Sequence, residues 1–361
     1  MKKKKIIRIV LAIVIIMLAI AIGIFTFFWK KLGLLQYENS DDNTTKSDIV
    51  IIGDNPEPIL TDDDFIIDEN GNKVIKQLIP ESVVESLEKV ATKTDVVPPT
   101  EKIDENNNVL NVLLIATDES TKRFTNNANA DCMIIMSINK KRNTVKLVSL
   151  ERGTAVPISI GQYAGEYEWL NNMVRQGGPG LLYRTVMECF RVDLMGYIRV
   201  NPTTFIEIVD ICGGIDLSLT AEEAEYINNS IGSGTVKLGK NHLDGKTAEI
   251  YARCRAIDDD WYRIERQRTV IQSALTQANG MSVSDFNSML DKVLPLVKTN
   301  LSKGQITELV LQVPSIAGKT AQQMSLPKAG TYKIMQNSYG KNMFATDFDK
   351  NAQILHEFLY N

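Results

Sequence analysis

Residues Ile9 to Trp29 run without a single charged side chain. Few structures accommodate such a run. At about 1.5 Å of rise per residue it makes a helix roughly 30 Å long, the thickness of a bilayer's hydrocarbon core. Lys2 to Lys5 and Arg8 precede it, and Lys30 and Lys31 follow directly. The basic excess lies on the N-terminal side. It predicts a cytoplasmic tail at 1–8, a transmembrane helix at 9–29 and an extracellular remainder. A removed signal peptide would have a shorter apolar core and a small-residue cleavage site. The expectation is a retained, single-pass anchor in the cell membrane.

Residues 30–105 are rich in Asp, Glu, Asn, Thr and Pro, and their apolar runs are short. "FIIDENGNKVI" at 65–75 reads as a hairpin turning at Asn70-Gly71. "PESVVESLEKV" at 80–90 reads as one short helix with Pro80 near its start. The segment is expected to be an acidic stalk that holds the next domain off the membrane. Residues 106–361 are globular in composition, enough for one domain with a full core.

Several chemistries are poorly served. Cys132, Cys189, Cys212 and Cys254 show no CxxC spacing, which argues against a zinc site, and they read as small buried hydrophobes. His242 and His356 are the only histidines. No P-loop, GxGxxG, HExxH or GxSxG motif is present. The formal net charge is −4 and no lysine-rich groove is visible, so nucleic acid is a poor partner.

The globular part alternates strand and helix patterns. "VLNVLLIATD" (109–118), "CMIIMSI" (132–138), "TVKLVSL" (144–150), "YIRV" (197–200), "IDLSL" (215–219) and "QQMSLP" read as strands. Helices are expected at 178–190, 202–212 behind an Asn201 cap, 221–228, 245–255 behind an Asp244 cap, 259–280, 283–298, 304–313 and near the C-terminus. The class is α/β: a central mixed β-sheet with helices on both faces.

The chemical signals are carboxylates and arginines at strand ends. Asp118 follows the first strand and Asp131 precedes the second. If these strands pair, both carboxylates reach one sheet edge, where hard oxygen ligands suit Mg²⁺ or Mn²⁺. Taken singly, each aspartate reads rather as a turn or cap residue. Arg152 follows the third strand. "RCRAIDDDWYRIERQR" (253–268) holds five of the chain's thirteen arginines. Arg253 and Arg255 share a face if the backbone is extended there. Arg263 and Gln267 share a helix face, and Asp260 sits at that helix's start, where its dipole favours a carboxylate. Planar guanidinium groups bind phosphate bidentately and keep their charge. Arg266 and Arg268 read as a solvated basic face balanced by Asp258 to Asp260.

"NVLLIATD", "ADCMIIMSINKKRNTVKLVSLERGT", "GGPGLLYRTVMECFRVDLMGYIRVNPTTFIEIVDICGGIDLSL", "HLDGKTAEIYARCR" and "DDDWYRIERQRTVI" together resemble the LytR-CpsA-Psr family of membrane-anchored cell-wall transferases. The resemblance implies transfer of a glycan from an undecaprenyl-diphosphate carrier to peptidoglycan, onto the 6-hydroxyl of N-acetylmuramic acid. It implies Mg²⁺ at Asp118 and Asp131. It implies diphosphate contacts from Arg152, Arg253, Arg255, Arg263 and Gln267, with Asp260 orienting the arginines and Asn171 among the substrate-binding residues. It also implies a lipid tunnel between sheet and helices, with a lining from the apolar faces of 180–212.

The chain departs from the family pattern in several places. Asn129 stands where the family often has arginine, and Ala116 where it has glycine. Glu151-Arg152-Gly153 replaces Pro-Arg-Asp, so the carboxylate after the arginine is missing. Trp169 and Asn172 replace a lysine and a histidine. Two other outcomes therefore stay open: a weakened member that binds polyprenyl-diphosphate glycans as scaffold or regulator, and a hydrolase of the diphosphate.

Overall fold

A computed structural model of the chain describes residues 34–37, 65–67, 73–75, 108–119, 123–157, 167–336 and 342–361. The anchor expected at 9–29 and the helix expected at 80–90 lie outside them. Among the described residues, no helix is long and apolar enough to cross a membrane.

The strands are β1 (Gln36–Tyr37), β2 (Phe65–Ile67), β3 (Lys73–Ile75), β4 (Val109–Thr117), β5 (Ala130–Asn139), β6 (Thr144–Leu150), β7 (Ala155–Pro157), β8 (Tyr167–Trp169), β9 (Tyr197–Val200), β10 (Ile215–Leu219), β11 (Gly239–Leu243), β12 (Lys298–Thr299), β13 (Gln322–Leu326), β14 (Tyr332–Gln336) and β15 (Asn342–Thr346). The helices are α1 (Met173–Phe190), α2 (Pro202–Ile211), α3 (Ala221–Ile231), α4 (Gly245–Arg253), α5 (Asp260–Gln277), α6 (Val283–Val293), α7 (Lys303–Ile316) and α8 (Phe348–Tyr360). β2 and β3 pair antiparallel, as a hairpin across Asn70-Gly71 requires.

Seven strands form the main sheet in the order β1-β12-β9-β4-β5-β6-β13. β4, β5 and β6 run antiparallel in succession, whereas β9 joins β4 and β13 joins β6 in parallel. The sheet is mixed, and both faces are covered. This is why β4 reads as a continuous apolar run rather than an alternation. Leu113, Ile115, Met133, Ile135, Val148 and Leu150 pack beneath α1 and α8. Val112, Ile134, Val145 and Leu147 face the opposite way, toward α5 and α7. Phe190 of α1 meets Phe348 of α8 edge to face at 5.2 Å. Burying side chains of this size contributes about 1.5–3 kcal/mol each, which makes these layers the main source of stability.

Local signals set most element boundaries. Asn201 caps α2 through Thr204 N–H, and Pro202 opens it. Asp244 caps α4 and Asp259 caps α5. Two expectations are corrected. The helix expected from 178 begins at Met173 but is broken at Gly177-Gly178, where Gly178 takes φ +74°. The helix expected over 283–298 stops at Val293, because a 3₁₀ turn at Leu294–Leu296 leads into β12. β11 and the β7–β8 and β14–β15 pairs were not legible; they are short and their residues alternate weakly.

Candidate active site

Antiparallel pairing of β4 with β5 brings Asp118 and Asp131 together. The register pairs Ala116 with Cys132 but Thr117 with Ala130, so Asp131 is the extra residue of a bulge. It therefore lies inside β5 rather than before it. A bulge bends its strand and re-aims a side chain. Past it, Asp118 N–H donates to Asn129 O at 3.1 Å. The Asn129 backbone N–H and Nδ2 both donate to the Asp118 carboxylate, at 2.9 and 3.2 Å. Asn129, where the resemblance expects arginine, thus fixes the rotamer of Asp118. Gln267 Nε2 donates to the bulge carbonyl, Asp131 O, at 3.3 Å.

Asp260, the first residue of α5, is the hub of the arginines. Arg263 reaches its Oδ1 through Nε and its Oδ2 through Nη2, both at 3.0 Å. Arg152 Nε lies 3.4 Å from Oδ2, and Arg255 Nη1 lies 3.6 Å from Oδ1. Arg152 Nη1 also donates to Asp131 Oδ1 at 3.3 Å, and Arg263 Nη1 stands 3.8 Å from the same oxygen. Burial works against ionisation of Asp260, but the Arg263, Arg152 and Arg255 charges outweigh it and hold the carboxyl well below the usual range. Burial likewise opposes the charge of Asp131, and Arg263, Arg152, Arg255 and Arg253 overcome it. Arg255 is pulled down to about 10, by burial first and then by its neighbours Arg152 and Arg263. Its Nη1 and Nη2 are buried without a hydrogen-bond partner. Buried donors of this kind are costly unless an anion meets them.

Arg253 ends α4, and Cys254, with φ −59° and ψ 125°, breaks the helix so that Arg255 turns inward. Arg253 bonds Glu249 at 2.9 Å and sits at the rim, half-exposed. Asn171 lies in a 3₁₀ turn, Leu170–Asn172, that docks on Arg152: its N–H donates to Arg152 O at 3.3 Å. Its buried Oδ1 has no hydrogen-bond partner.

Two residues of the basic stretch belong elsewhere. Arg266 and Arg268 do not form a solvated face; they are buried at 5% and 7% exposure. Arg266 binds Glu223, Asp258 and Cys254 O. Arg268 binds Gln323, Ser149 and Ser325. They lock α5 to α3 and to the strand edges β6 and β13. Four charged residues of the site were missed. Glu151 is buried and pushed up to about 8, by burial and then by the Asp260 charge. Glu249 lines the cavity described next. Glu119 and Arg199 form a buried ion pair beside Thr117. In "YIRV", nothing marks a buried arginine, since its partners lie 74 to 82 residues away.

An apolar cavity of about 320 Å³ opens next to this cluster and is at the small end of ligand pockets. Asp118, Asp131, Arg253 and Gln267 line its polar end. Leu114, Ile198, Val200, Phe205, Ile208 and Ile271 line the rest, between the sheet and α2, α4 and α5. Residues 180–212, expected to line a lipid tunnel, divide between this cavity and the other sheet face. Residues 197–208 contribute, whereas Leu181, Leu182, Val186 and Phe190 of α1 pack on the opposite sheet face. Trp169 packs against that opposite-face core and also joins an aromatic cluster with Trp261, Tyr332 and Phe344.

Asp118 is raised to about 6, by burial first and then by the Asp131 charge. Two near carboxylates that resist ionising together fit a divalent cation. Among the described residues no third His, Cys, Asp or Glu joins them. Phosphate and water oxygens would complete the shell, as Mg²⁺ prefers. The folded value lies above the unfolded one, so the cost of ionising Asp118 is absent below about pH 4. It grows to about pH 6 and is full above, at about 3 kcal/mol at most. Asp118→Asn removes it, and the Asn129 amide can turn its unpartnered Oδ1 toward the new donor. The variant should melt several degrees above the parent at pH 7.5 in chelator and gain nothing at pH 4. Mg²⁺ should raise only the parent. Equal melting of the two proteins at pH 7.5 would show that the carboxylates do not conflict.

The LytR_cpsA_psr family model matches residues 76–357. The polyisoprenyl-teichoic acid–peptidoglycan teichoic acid transferase TagU of Bacillus subtilis (strain 168) is 33% identical over 223 residues, covering 61% of this chain and 69% of that protein. The structure of TagT bound to LIIa-WTA superimposes with a TM-score of 0.58 at 22% identity, over 73% of this chain and 94% of that one. TagT with bound octaprenyl pyrophosphate lipid superimposes with a TM-score of 0.53 at 20% identity, over 73% and 96%. These structures share the fold: a mixed sheet between helical layers. On the extent of the family match, the chain belongs to the LytR_cpsA_psr family.

Proposed function

We propose that this protein transfers a glycopolymer from an undecaprenyl-diphosphate carrier to the 6-hydroxyl of N-acetylmuramic acid in peptidoglycan. In this reading residues 9–29 anchor it in the cell membrane and the domain faces outward. The observation that carries the proposal is the pairing of two unlike environments. Buried guanidinium groups of Arg152, Arg255 and Arg263 stand beside a cavity whose lining is mostly apolar. That combination fits an amphiphile with a doubly charged head and a hydrocarbon tail. The named relative TagU, a teichoic acid transferase, and the TagT complex with octaprenyl pyrophosphate support it.

Phosphoryl transfer needs positioning and charge neutralisation more than covalent help. The arginines would grip the diphosphate oxygens bidentately. Asp260 would hold three guanidinium groups at fixed spacing, so that little reorganisation accompanies the developing charge. Asp118 and Asp131 would hold Mg²⁺, which supplies further neutralisation of the phosphates when bound. The acceptor oxygen bonds to the phosphorus that carries the glycan. The bond to the lipid-side phosphate oxygen breaks, undecaprenyl phosphate leaves, and the hydroxyl proton passes to water.

The test is incubation with Mg²⁺, a short-chain polyprenyl-diphosphate disaccharide and peptidoglycan fragments, with products read by mass spectrometry. A phosphodiester-linked glycan on the acceptor is expected. Free glycan phosphate alone would make the protein a hydrolase, and tight binding without product a carrier-glycan binder. The cavity's role is checked separately. Ile198→Trp should fill the cavity and weaken binding of a long-chain polyprenyl diphosphate about tenfold, while leaving inorganic pyrophosphate binding unchanged. Equal loss for both ligands would mean that the tail lies elsewhere.

A further inference from the structure

We propose that Glu151 is a positioning residue of the arginine cradle, its carboxyl standing where a side chain on residue 153 would reach. The proposal rests on the diphosphate reading of that cradle. Glu151 follows β6 directly, and its N–H donates to Leu326 O of β13 at 2.8 Å, which pins it to the sheet. The Thr154 hydroxyl closes a turn onto Glu151 O at 2.6 Å. Inside this turn the Glu151 side chain curls back. Oε2 accepts the Arg152 N–H, and Oε1 accepts the Gly153 N–H at 3.4 Å. The carboxyl is thus tied to the backbone that carries Arg152. On its other side it meets Asp260, the hub of the cluster.

Gly153 gives an independent observation. Its φ is not in the left-handed region, so the backbone does not demand glycine. A Cβ built there would lie 3.5 Å from Glu151 Oε1 and 3.4 Å from the Phe344 ring. A side chain at 153 would start in van der Waals contact with the Glu151 carboxyl and the Phe344 ring. The two positions open onto one place. The carboxylate missing after Arg152 is supplied, in this chain, from the residue before it.

An anion site that loses a carboxyl with no holding role should bind anions as before or, where that carboxyl is ionised, more tightly. A site that loses the group holding its arginines should bind them less well. The sign therefore separates the two roles. The experiment uses the full chain in detergent, inorganic pyrophosphate as the probe in calorimetry, and thermal unfolding alongside. Glu151→Ala should weaken pyrophosphate binding about tenfold. Gly153→Asp alone should also weaken it, by crowding two carboxyls. The double variant, with its carboxyl moved across, should return to within about threefold of the parent.

Unchanged or tighter binding by Glu151→Ala overturns the proposal, and so does a double variant no better than Glu151→Ala. If Glu151→Ala does not fold, a folded double variant supports the exchange and an unfolded one overturns it. If the parent itself fails to bind pyrophosphate, the diphosphate reading falls. The exchange of places is then judged on melting temperature, where the double variant must regain what each single variant loses, and failure to regain it overturns the proposal.

Discussion

Arg255→Ala should lower kcat/KM for glycan transfer by about 10²–10³, the usual cost of removing one preorganised donor from a charge-stabilising site. The same variant should fold as well as the parent. Arg255 touches one carboxylate at 3.6 Å and places two buried nitrogens where no protein acceptor meets them. It is also repelled by Arg152 and Arg263. Removing it relieves a conflict that only a bound anion would resolve. The informative result is the pair of measurements, activity lost and melting temperature kept or raised. Arg266 makes the contrast: it has carboxylates on both sides, so its removal should cost stability first. If Arg255→Ala turned over normally, the cradle would not be the site.

Asp260→Ala should be the most damaging single change to the fold among the site residues. It withdraws the one carboxylate shared by Arg152, Arg255 and Arg263 and leaves buried positive charges facing one another. Breaking a buried ion network from one side costs about 3–5 kcal/mol, which corresponds to a fall in melting temperature on the order of 10 °C for a domain of this size. Thermal unfolding with and without pyrophosphate would check this. Bound pyrophosphate should restore part of the loss, because it replaces the missing anion. A variant that melts like the parent would mean that the arginines do not depend on Asp260.

Much of the framework was legible because its causes are local. β4 and β6 announce themselves as apolar runs, and Asn201 and Asp244 cap their helices through contacts three residues away. Asp118, Asp131, Arg152, Arg255 and Asp260 were picked out by residue type and position at element ends, and Arg263 and Gln267 by a shared helix face; the fold brings them together. The failures share one cause. Arg266 and Arg268 look like solvent-facing charge in sequence because their partners, Glu223 and Ser325, lie 43 and 57 residues away. Arg199 is silent for the same reason.

The sequence by itself determined the class of element at most positions and the pool of charged groups from which a site could be drawn. Periodicity, caps and breakers act over one or two turns of chain, and composition is indifferent to folding. Only the tertiary structure decided which arginines face a ligand and which are locked to the scaffold. It placed the bulge that aims Asp131, and it set the Glu151 carboxyl in the space left open at Gly153. These outcomes depend on burial and on charges meeting across large sequence separations. In a low-dielectric interior such meetings fix both the energy and the role of an ionised side chain.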